Sequence, residues 1–253
     1  MCALALLRPQ PGRCQSDSGL VGGNLVATSD YIYRGVSQSD GHGALQGDLH
    51  ASSSGGTFGG VWASTRDSDL EPGTPAEVQL YLGQRFGLGS AWSATVSGRA
   101  DYFVGGSAHH SDDYQEISAA LTWLDRYTLS LTAIPNAVRY STVVHQYEGY
   151  AYQYYQVYRS AAFVADAAGQ WLLREELLGA GLYLTAAAGY YYSSRPDDHP
   201  PPAVGYLYGN AGLALVWRRW RVDLGFFAAQ SRAGQLFPYP VANRVAGTLS
   251  WEF

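Results

Sequence analysis

The sequence of 253 residues contains no lysine, so all 16 of its basic residues are arginine, and its formal net charge is −5. Binding to nucleic acid needs clustered positive charge, and no basic stripe occurs along the chain. Cysteine is scarce too, since only Cys2 and Cys14 are present, and both precede the first predicted strand. They cannot organise the fold through disulfides or a thiolate metal site. We therefore expect no nucleic acid partner, no metal and no cofactor.

Long apolar runs are also missing. No segment approaches the roughly 20 apolar residues of a transmembrane helix, and Ala3 to Leu7 falls short of the roughly 7 to 15 apolar residues of a signal peptide. We expect residues 1–18 to be a disordered N-terminus or a leader remnant, from a truncated signal or a misassigned start codon. Residues 19–253 are expected to form one domain.

The strongest positive signal is an alternation of period two. Between Trp92 and Val104, apolar residues at even positions alternate with polar residues such as Thr95 and Arg99. This period is that of a β-strand. The same pattern predicts twelve strands, at 20–34, 44–53, 57–66, 76–86, 91–104, 114–124, 127–138, 155–173, 180–193, 204–217, 220–231 and 244–253.

The predicted connections alternate between short and long. Short ones such as Gly55-Gly56 and Arg218-Arg219 fall at one end of the strands, and long ones such as Arg139 to Tyr154 and Ser194 to Ala203 fall at the other. Outer-membrane barrels have short periplasmic turns and long external loops. We predict an all-β fold, a transmembrane antiparallel up-and-down β-barrel of about twelve strands with both termini in the periplasm.

Aromatic residues are predicted to form two belts at the membrane surfaces. Ten strand steps separate Trp92 from Tyr102, and at a tilt of about 40° they span roughly 25 Å, the height of the apolar band. A soluble sandwich or a lipocalin-like barrel has similar alternation, but the belts and the one-sided long loops favour the membrane barrel. The predicted belt residues are Tyr31, Tyr33, Trp92, Tyr102, Trp123, Tyr190, Tyr192, Trp217, Trp251 and Phe253.

The opposite strand faces are predicted to line the lumen. Acids outnumber bases on these faces, which predicts a weak preference for cations. Two pairs of neighbours on one face, Asp30 with Arg34 and Arg99 with Asp101, are expected to form ion pairs that moderate it. The predicted lumen-lining residues are Asp30, Arg34, Asp48, Glu77, Arg85, Arg99, Asp101, Glu116, Arg221, Asp223 and Glu252, with Asp166 on a less regular strand.

Three segments carry a resemblance to a known family. The chain reads Ser-Asp-Tyr-Ile-Tyr-Arg-Gly-Val-Ser-Gln-Ser-Asp-Gly from Ser29, Ala-Leu-Gln-Gly from Ala44, and Gly-Val-Trp-Ala-Ser from Gly60. It closely resembles the TorF family of proposed porins, also described as a proteobacterial family of unknown function. The resemblance is specific over about residues 20–104 and weakest in the middle of the chain, where Tyr147 to Tyr158 looks like an enlarged loop. It implies an outer-membrane pore-like barrel and supplies no catalytic residue.

These observations favour a porin for small polar solutes or ions in the bacterial outer membrane. The terminal Phe253 resembles the signal by which the outer-membrane assembly machinery recognises its substrates, so the lipid bilayer and that machinery are the expected partners. A plugged barrel that acts through its external loops is the alternative.

An outer-membrane hydrolase is less favoured. Its candidates are His50 with Ser52, and the loop His109 to Asp113, whose residue types are compatible with a metal. A lumen histidine that hydrogen-bonds a neighbour explains His50 better, and we predict no catalytic or metal site.

Overall fold

The computed structural model describes residues 20–66, 75–105, 112–147, 150–177, 179–196 and 202–253. The predicted leader, with Cys2 and Cys14, lies outside the described residues. Twelve strands form a closed antiparallel barrel in which each is hydrogen-bonded to its neighbours in sequence and the last returns to the first. The predicted fold class and strand number are therefore confirmed.

The described residues form fourteen strands, because a short hairpin of two further strands lies between the first and second strands of the barrel. That hairpin is β2 (Ile32–Tyr33) with β3 (Val36–Ser37). The barrel strands are β1 (Leu20–Thr28), β4 (Ala44–Ser52), β5 (Thr57–Thr65), β6 (Ala76–Leu88), β7 (Trp92–Val104), β8 (Tyr114–Trp123), β9 (Tyr127–Tyr147), β10 (Tyr150–Leu177), β11 (Ala180–Ser193), β12 (Val204–Trp217), β13 (Trp220–Ala229) and β14 (Asn243–Glu252).

The barrel is apolar on its outer face and polar on its inner face. On β7, Val96 is 49% exposed, whereas Asp101 is fully buried inside. Outward leucines such as Leu82 and Leu224 are likewise exposed, at 65% and 60%. A soluble barrel buries its apolar face, so this inverted arrangement is that of a barrel whose outer surface meets lipid.

Strands β9 and β10 continue beyond the barrel wall as a two-stranded ribbon, the projecting hairpin. The pairing of β8 with β9 extends only as far as Ile117 and Ala133, and that of β10 with β11 begins at Ala162 and Ser193. The predicted loop from Arg139 to Tyr154 is therefore wrong, because most of it is strand. The alternation of apolar and polar positions is poor in this part of the sequence, so it did not mark the segment as strand.

The first predicted strand, 20–34, is also too long, because β1 ends at Thr28. Arg34 and Gly35 both have positive φ, 48° and 79°, between the two short strands β2 and β3. Two such residues in succession form the tight turn of a β-hairpin. Tyr31 and Tyr33 alternate with their neighbours as in a strand, but the turn reverses the chain inside the barrel.

Two segments fold into the barrel at the end with the long connections, which we call the long-loop end. The inward hairpin, Ser29–Gly43, places Tyr31 at 0% and Val36 at 2% exposure. The inward loop, Gln230–Ala242, contains a 3-10 helix at Ser231–Gln235. The Ser37 N–H donates to the Pro240 carbonyl at 2.9 Å, so the segments hold each other. Within the described part of the chain, no helix is long and apolar enough to cross a membrane.

Candidate functional site

Gly35 brings the tip of the inward hairpin into direct contact with the barrel wall. A Cβ at this position would lie 2.5 Å from the Ala229 Cβ and 2.8 Å from the Tyr208 Cβ. Glycine also adopts its φ of 79° without strain. The Ala242 N–H donates to the Gly35 carbonyl at 2.8 Å and fixes the tip from the side of the inward loop. The hairpin is therefore packed against the wall at its tip.

Glu116 on β8 is the centre of an ion cluster that anchors the inward hairpin. Arg34 donates two hydrogen bonds to it, at 2.7 and 3.0 Å, and Arg99 on β7 lies 3.0 Å from the same carboxylate. Arg99 also pairs with Asp101 at 3.1 Å. Such charge-assisted, two-pronged contacts are stronger than neutral hydrogen bonds. We call Tyr33, Arg34, Arg99, Asp101 and Glu116 the central ion cluster.

Tyr33 adds a neutral donor to this cluster. Its hydroxyl donates to the Glu116 carboxylate at 3.1 Å and accepts a hydrogen bond from Arg99. Burial raises the pKa of the Tyr33 hydroxyl, while Arg34 and Arg99 act in the opposite direction. The hydroxyl therefore stays protonated at neutral pH and donates to Glu116.

A second contact between hairpin and wall lies beside the cluster. The Tyr31 hydroxyl donates to Glu77 on β6 at 3.2 Å, and the Gln79 amide donates to the other Glu77 oxygen at 2.8 Å. The Tyr31 ring also packs edge-on against Trp62 of β5, with ring centroids 5.7 Å apart. The hairpin is thus held on the β5 and β6 side as well.

Further polar groups line the lumen away from the hairpin. Asp48 on β4 accepts a hydrogen bond from Tyr81 at 2.6 Å and lies 2.6 Å from the His50 ring nitrogen. On β13, Arg221 and Asp223 form a buried ion pair at 2.6 Å. The inner face therefore carries charged groups along much of its height.

An apolar cluster occupies the lumen at the long-loop end, where a water-filled pore would be polar. It joins wall residues such as Ile134 and Tyr206 to Val36 of the inward hairpin and Leu236 of the inward loop, all at most 2% exposed. Moving either segment out of the lumen would expose these apolar side chains to water, which is energetically unfavourable. We infer that the two segments are a fixed constriction.

A cavity remains between the inward hairpin and the wall. The volume open to the centres of water molecules is about 70 Å³. About half of its lining residues are aromatic, and the others include Arg34, Arg66 and Glu77. It is the space that the two inward segments leave in this part of the lumen.

Comparison with known proteins places this barrel in a family. Residues 14–156 match the Gcw_chp family, described as a bacterial protein of unknown function. The chain belongs to this family. No curated protein matches it. The TorF resemblance stays a prediction.

The Gcw_chp barrel resembles solved porin structures. The NanC porin aligns with a TM-score of 0.54 at 8% identity, covering 91% of this chain and 98% of the porin. The KdgM porin in complex with disordered oligogalacturonate has a TM-score of 0.47 at 6% identity, covering 92% and 98%. The translocator domain of autotransporter NalP from Neisseria meningitidis has 0.40 at 10%, covering 100% and 91%. At such identity, the likeness to NanC shows the fold.

One of the two predicted ion pairs of the lumen is present in the structure and the other is not. The predicted pair of Arg99 with Asp101 is confirmed. The predicted pair of Asp30 with Arg34 is wrong, because Arg34 turns to Glu116 while Asp30 accepts hydrogen bonds from Ser37 and Ser39. The two residues lie on a folded-back hairpin and not on one strand face. Buried or half-buried positions inside the barrel are found for Asp30, Arg34, Asp48, Glu77, Arg99, Asp101, Glu116, Asp166, Arg221 and Asp223.

Two of the predicted lining residues lie away from the constriction. Arg85 is exposed at the end with the short connections, which we call the short-turn end, where it pairs with Asp125. Glu252 is half-buried at the same end, on the last residue of β14.

Sequence reasoning missed two buried arginines. Arg66 lies two residues beyond the inward Ser64, so continued alternation would have assigned it to the lumen. Its guanidinium stacks over Phe103 and Tyr239, at 4.6 and 5.3 Å from the ring centroids. Arg139 is 2% exposed, but it stood in the predicted loop that proved to be strand.

Two of the predicted belt residues are wrong. Tyr31 and Tyr33 belong to the inward hairpin and contact Glu77 and Glu116 inside the barrel, since the chain leaves the wall after Thr28. The belt remains a prediction for the others. Trp92, Tyr102, Trp123, Tyr190, Tyr192, Trp217 and Phe253 are exposed, between 38% and 47%, and Trp251 is half-buried.

The candidates for enzymatic chemistry gain no support. The His50 ring nitrogen bonds to Asp48, which matches a lumen histidine satisfied by a neighbour. The loop candidates His109, His110 and Ser111 lie outside the described residues. Among the residues that are described, no group of three or more histidine, cysteine or acidic side chains is placed to hold a metal ion.

Proposed function

We propose that this Gcw_chp barrel is a porin of the bacterial outer membrane that passes small polar solutes or ions, with a weak preference for cations. The observation that carries the proposal is the cavity beside the inward hairpin, whose lining includes arginines, acids and tyrosine hydroxyls. The apolar outer face supports the location, and residues 19–253 form the barrel domain. Recognition of the terminal Phe253 by the assembly machinery belongs to the same proposal.

The inner charges support a preference that is weak. Most inward acids have a cationic or hydroxyl partner, as Glu116 has Arg34 and Asp166 has the Tyr208 hydroxyl. Arg66 and Arg139 are also buried, and they reduce the acidic excess expected from sequence. Charge that is compensated within a few ångströms attracts few mobile ions, which keeps the cation preference weak. Salt screens the remaining charge, so the preference should fall as the salt concentration rises.

Asp48 offers the sharpest test of this preference. Its partners are the Tyr81 hydroxyl and His50, and among the described residues no arginine forms an ion pair with it. In planar bilayers under a salt gradient, the reversal potential should show cation preference, and Asp48→Asn should move it towards zero. Asp125→Asn, on an exposed turn, is the matched control and should leave it unchanged. An anion preference in the parent protein would contradict the proposal.

A plugged barrel that acts through its external loops is the second candidate. The apolar cluster across the lumen and the projecting hairpin favour it. Conductance separates the two functions, because a correctly folded barrel with a plugged lumen passes no current. A hydrolase is the least favoured function, and turnover of lipid or peptide by the purified protein would be needed to support it.

A further inference from the structure

We propose that the cavity beside the inward hairpin is a binding site for a single neutral sugar ring. The proposal rests on the proposed function, because it names the class of solute that would pause at the constriction. Three features of the cavity support this site: its size, its aromatic lining and the charged groups that border it.

The size of the cavity matches one small ring. One water needs roughly 10 to 15 Å³ of such volume, so the 70 Å³ available holds about six waters. Six waters fill roughly 180 Å³ of liquid, the space of an organic molecule with about a dozen non-hydrogen atoms. A monosaccharide has this size, whereas a disaccharide would not fit without movement of the inward segments.

The aromatic lining suits the faces of a sugar ring. Tyr191 and Tyr206 stack with centroids 5.4 Å apart and planes inclined by 26°. Tyr191 also meets Phe237 of the inward loop edge-on, at 5.8 Å. Both tyrosines and Phe237 border the cavity. Flat rings of this kind pack against the C–H groups of a pyranose, whose polar hydroxyls point outward around the ring edge.

The polar lining provides both donors and acceptors for those hydroxyls. Arg34 and Arg66 border the cavity together with the acids Glu77 and Asp112. Arg34 is already neutralised by Glu116. Arg66 therefore stands against two acids, so a carboxylate on the solute would meet more acids than guanidiniums. A neutral ligand with many hydroxyls fits this lining better than an anion does.

Binding is tested on the full-length folded protein in detergent, by calorimetric titration with methyl β-D-glucopyranoside. Sorbitol serves as a probe with many hydroxyls and no ring, and glucuronate as a charged ring. The glucoside should bind more tightly than either. Tyr191→Ala should weaken its binding about tenfold, the scale of a lost aromatic contact. Tyr190→Ala, on the outer face of the same strand, should leave binding within about twofold.

Folding of each variant is checked by its heat-dependent migration in electrophoresis, and Tyr239→Ala replaces Tyr191→Ala if the latter does not fold. Equal binding of sorbitol and glucoside, no glucoside binding by the folded parent, or unchanged affinity in the tyrosine variants would overturn the sugar site. Conductance is recorded on the same samples. A conducting barrel without glucoside binding loses the sugar site alone, whereas a barrel that binds glucoside without conducting loses the porin function.

Discussion

At the scale of single residues, the ion pairs of the barrel differ in how deeply they are buried. Glu116 is 3% exposed and faces two guanidiniums, so it is part of the internal packing. Arg85 and Asp125 form their pair in an exposed position. Exposed pairs contribute little, because water screens them, whereas removing one member of a buried set leaves an uncompensated charge.

Glu116→Gln should therefore destabilise the barrel by about 3 kcal/mol, since it leaves Arg34 and Arg99 buried with a neutral partner. Asp125→Asn should cost less than about 1 kcal/mol. Urea unfolding of the two variants in liposomes measures both values. A Glu116→Gln barrel as stable as its parent would mean that the central ion cluster does not hold the hairpin.

The two faces of β7 can be compared at adjacent residues. Val96 is 49% exposed on the outer face, and Thr95 is half-buried on the inner face. Val96→Arg should cost roughly 2 to 4 kcal/mol if that face meets the middle of a bilayer, and Thr95→Arg should cost much less. Folding yields into liposomes provide the comparison, and equal yields would argue against the membrane facing of this strand.

At the scale of elements, the inward hairpin narrows the lumen at the long-loop end. Its two strands are too short to be stable alone, so its position depends on contacts with the wall and with the inward loop. Those contacts include apolar burial, hydrogen bonds and the central ion cluster. Because these contacts would be lost if the hairpin left the wall, we expect it to be a fixed constriction and not a gate.

Locking the hairpin should therefore leave conduction unchanged. Val36 and Val241 form an antiparallel bridge, at a separation that a disulfide can span. In a chain with Cys2 and Cys14 replaced by serine, the oxidised Val36→Cys/Val241→Cys variant should conduct as the reduced one does. A current that disappears on oxidation and returns with reductant would identify a moving gate instead.

At the scale of the whole molecule, the barrel has one end with short turns and one end with the projecting hairpin and the longer connections. The proposed outer-membrane orientation places the long-loop end outside the cell. Proteases cut exposed connections more readily than hydrogen-bonded strands. The paired strands of the projecting hairpin should thus resist cleavage more than the connection between them.

Proteinase K added to intact cells should cut within the Pro-rich segment 194–203 and near 147–150. It should spare the turns at Arg126 and Arg218 until the outer membrane is permeabilised. Mass spectrometry of the fragments gives the sites. Early cleavage at either arginine in intact cells would reverse the orientation.

The sequence by itself determined the barrel. Alternation such as that from Trp92 to Val104 depends only on which strand face meets lipid and which meets the lumen, and this contrast recurs in nearly every strand. The strand number, the short turns and most inward charges followed from it. The alternation also assigned Arg99 and Asp101 to one face, where the structure pairs them.

Only the tertiary structure decided what fills the lumen. Tyr31, Tyr33 and Arg34 have the local pattern of a strand, and their contacts depend on residues far along the chain: Arg34 and Glu116 are 82 positions apart. The same holds for the cavity, whose aromatic walls come from separate strands and from the inward loop. Alternation reports the surroundings of a residue within one strand, whereas the constriction arises from contacts between segments that only the closed barrel brings together.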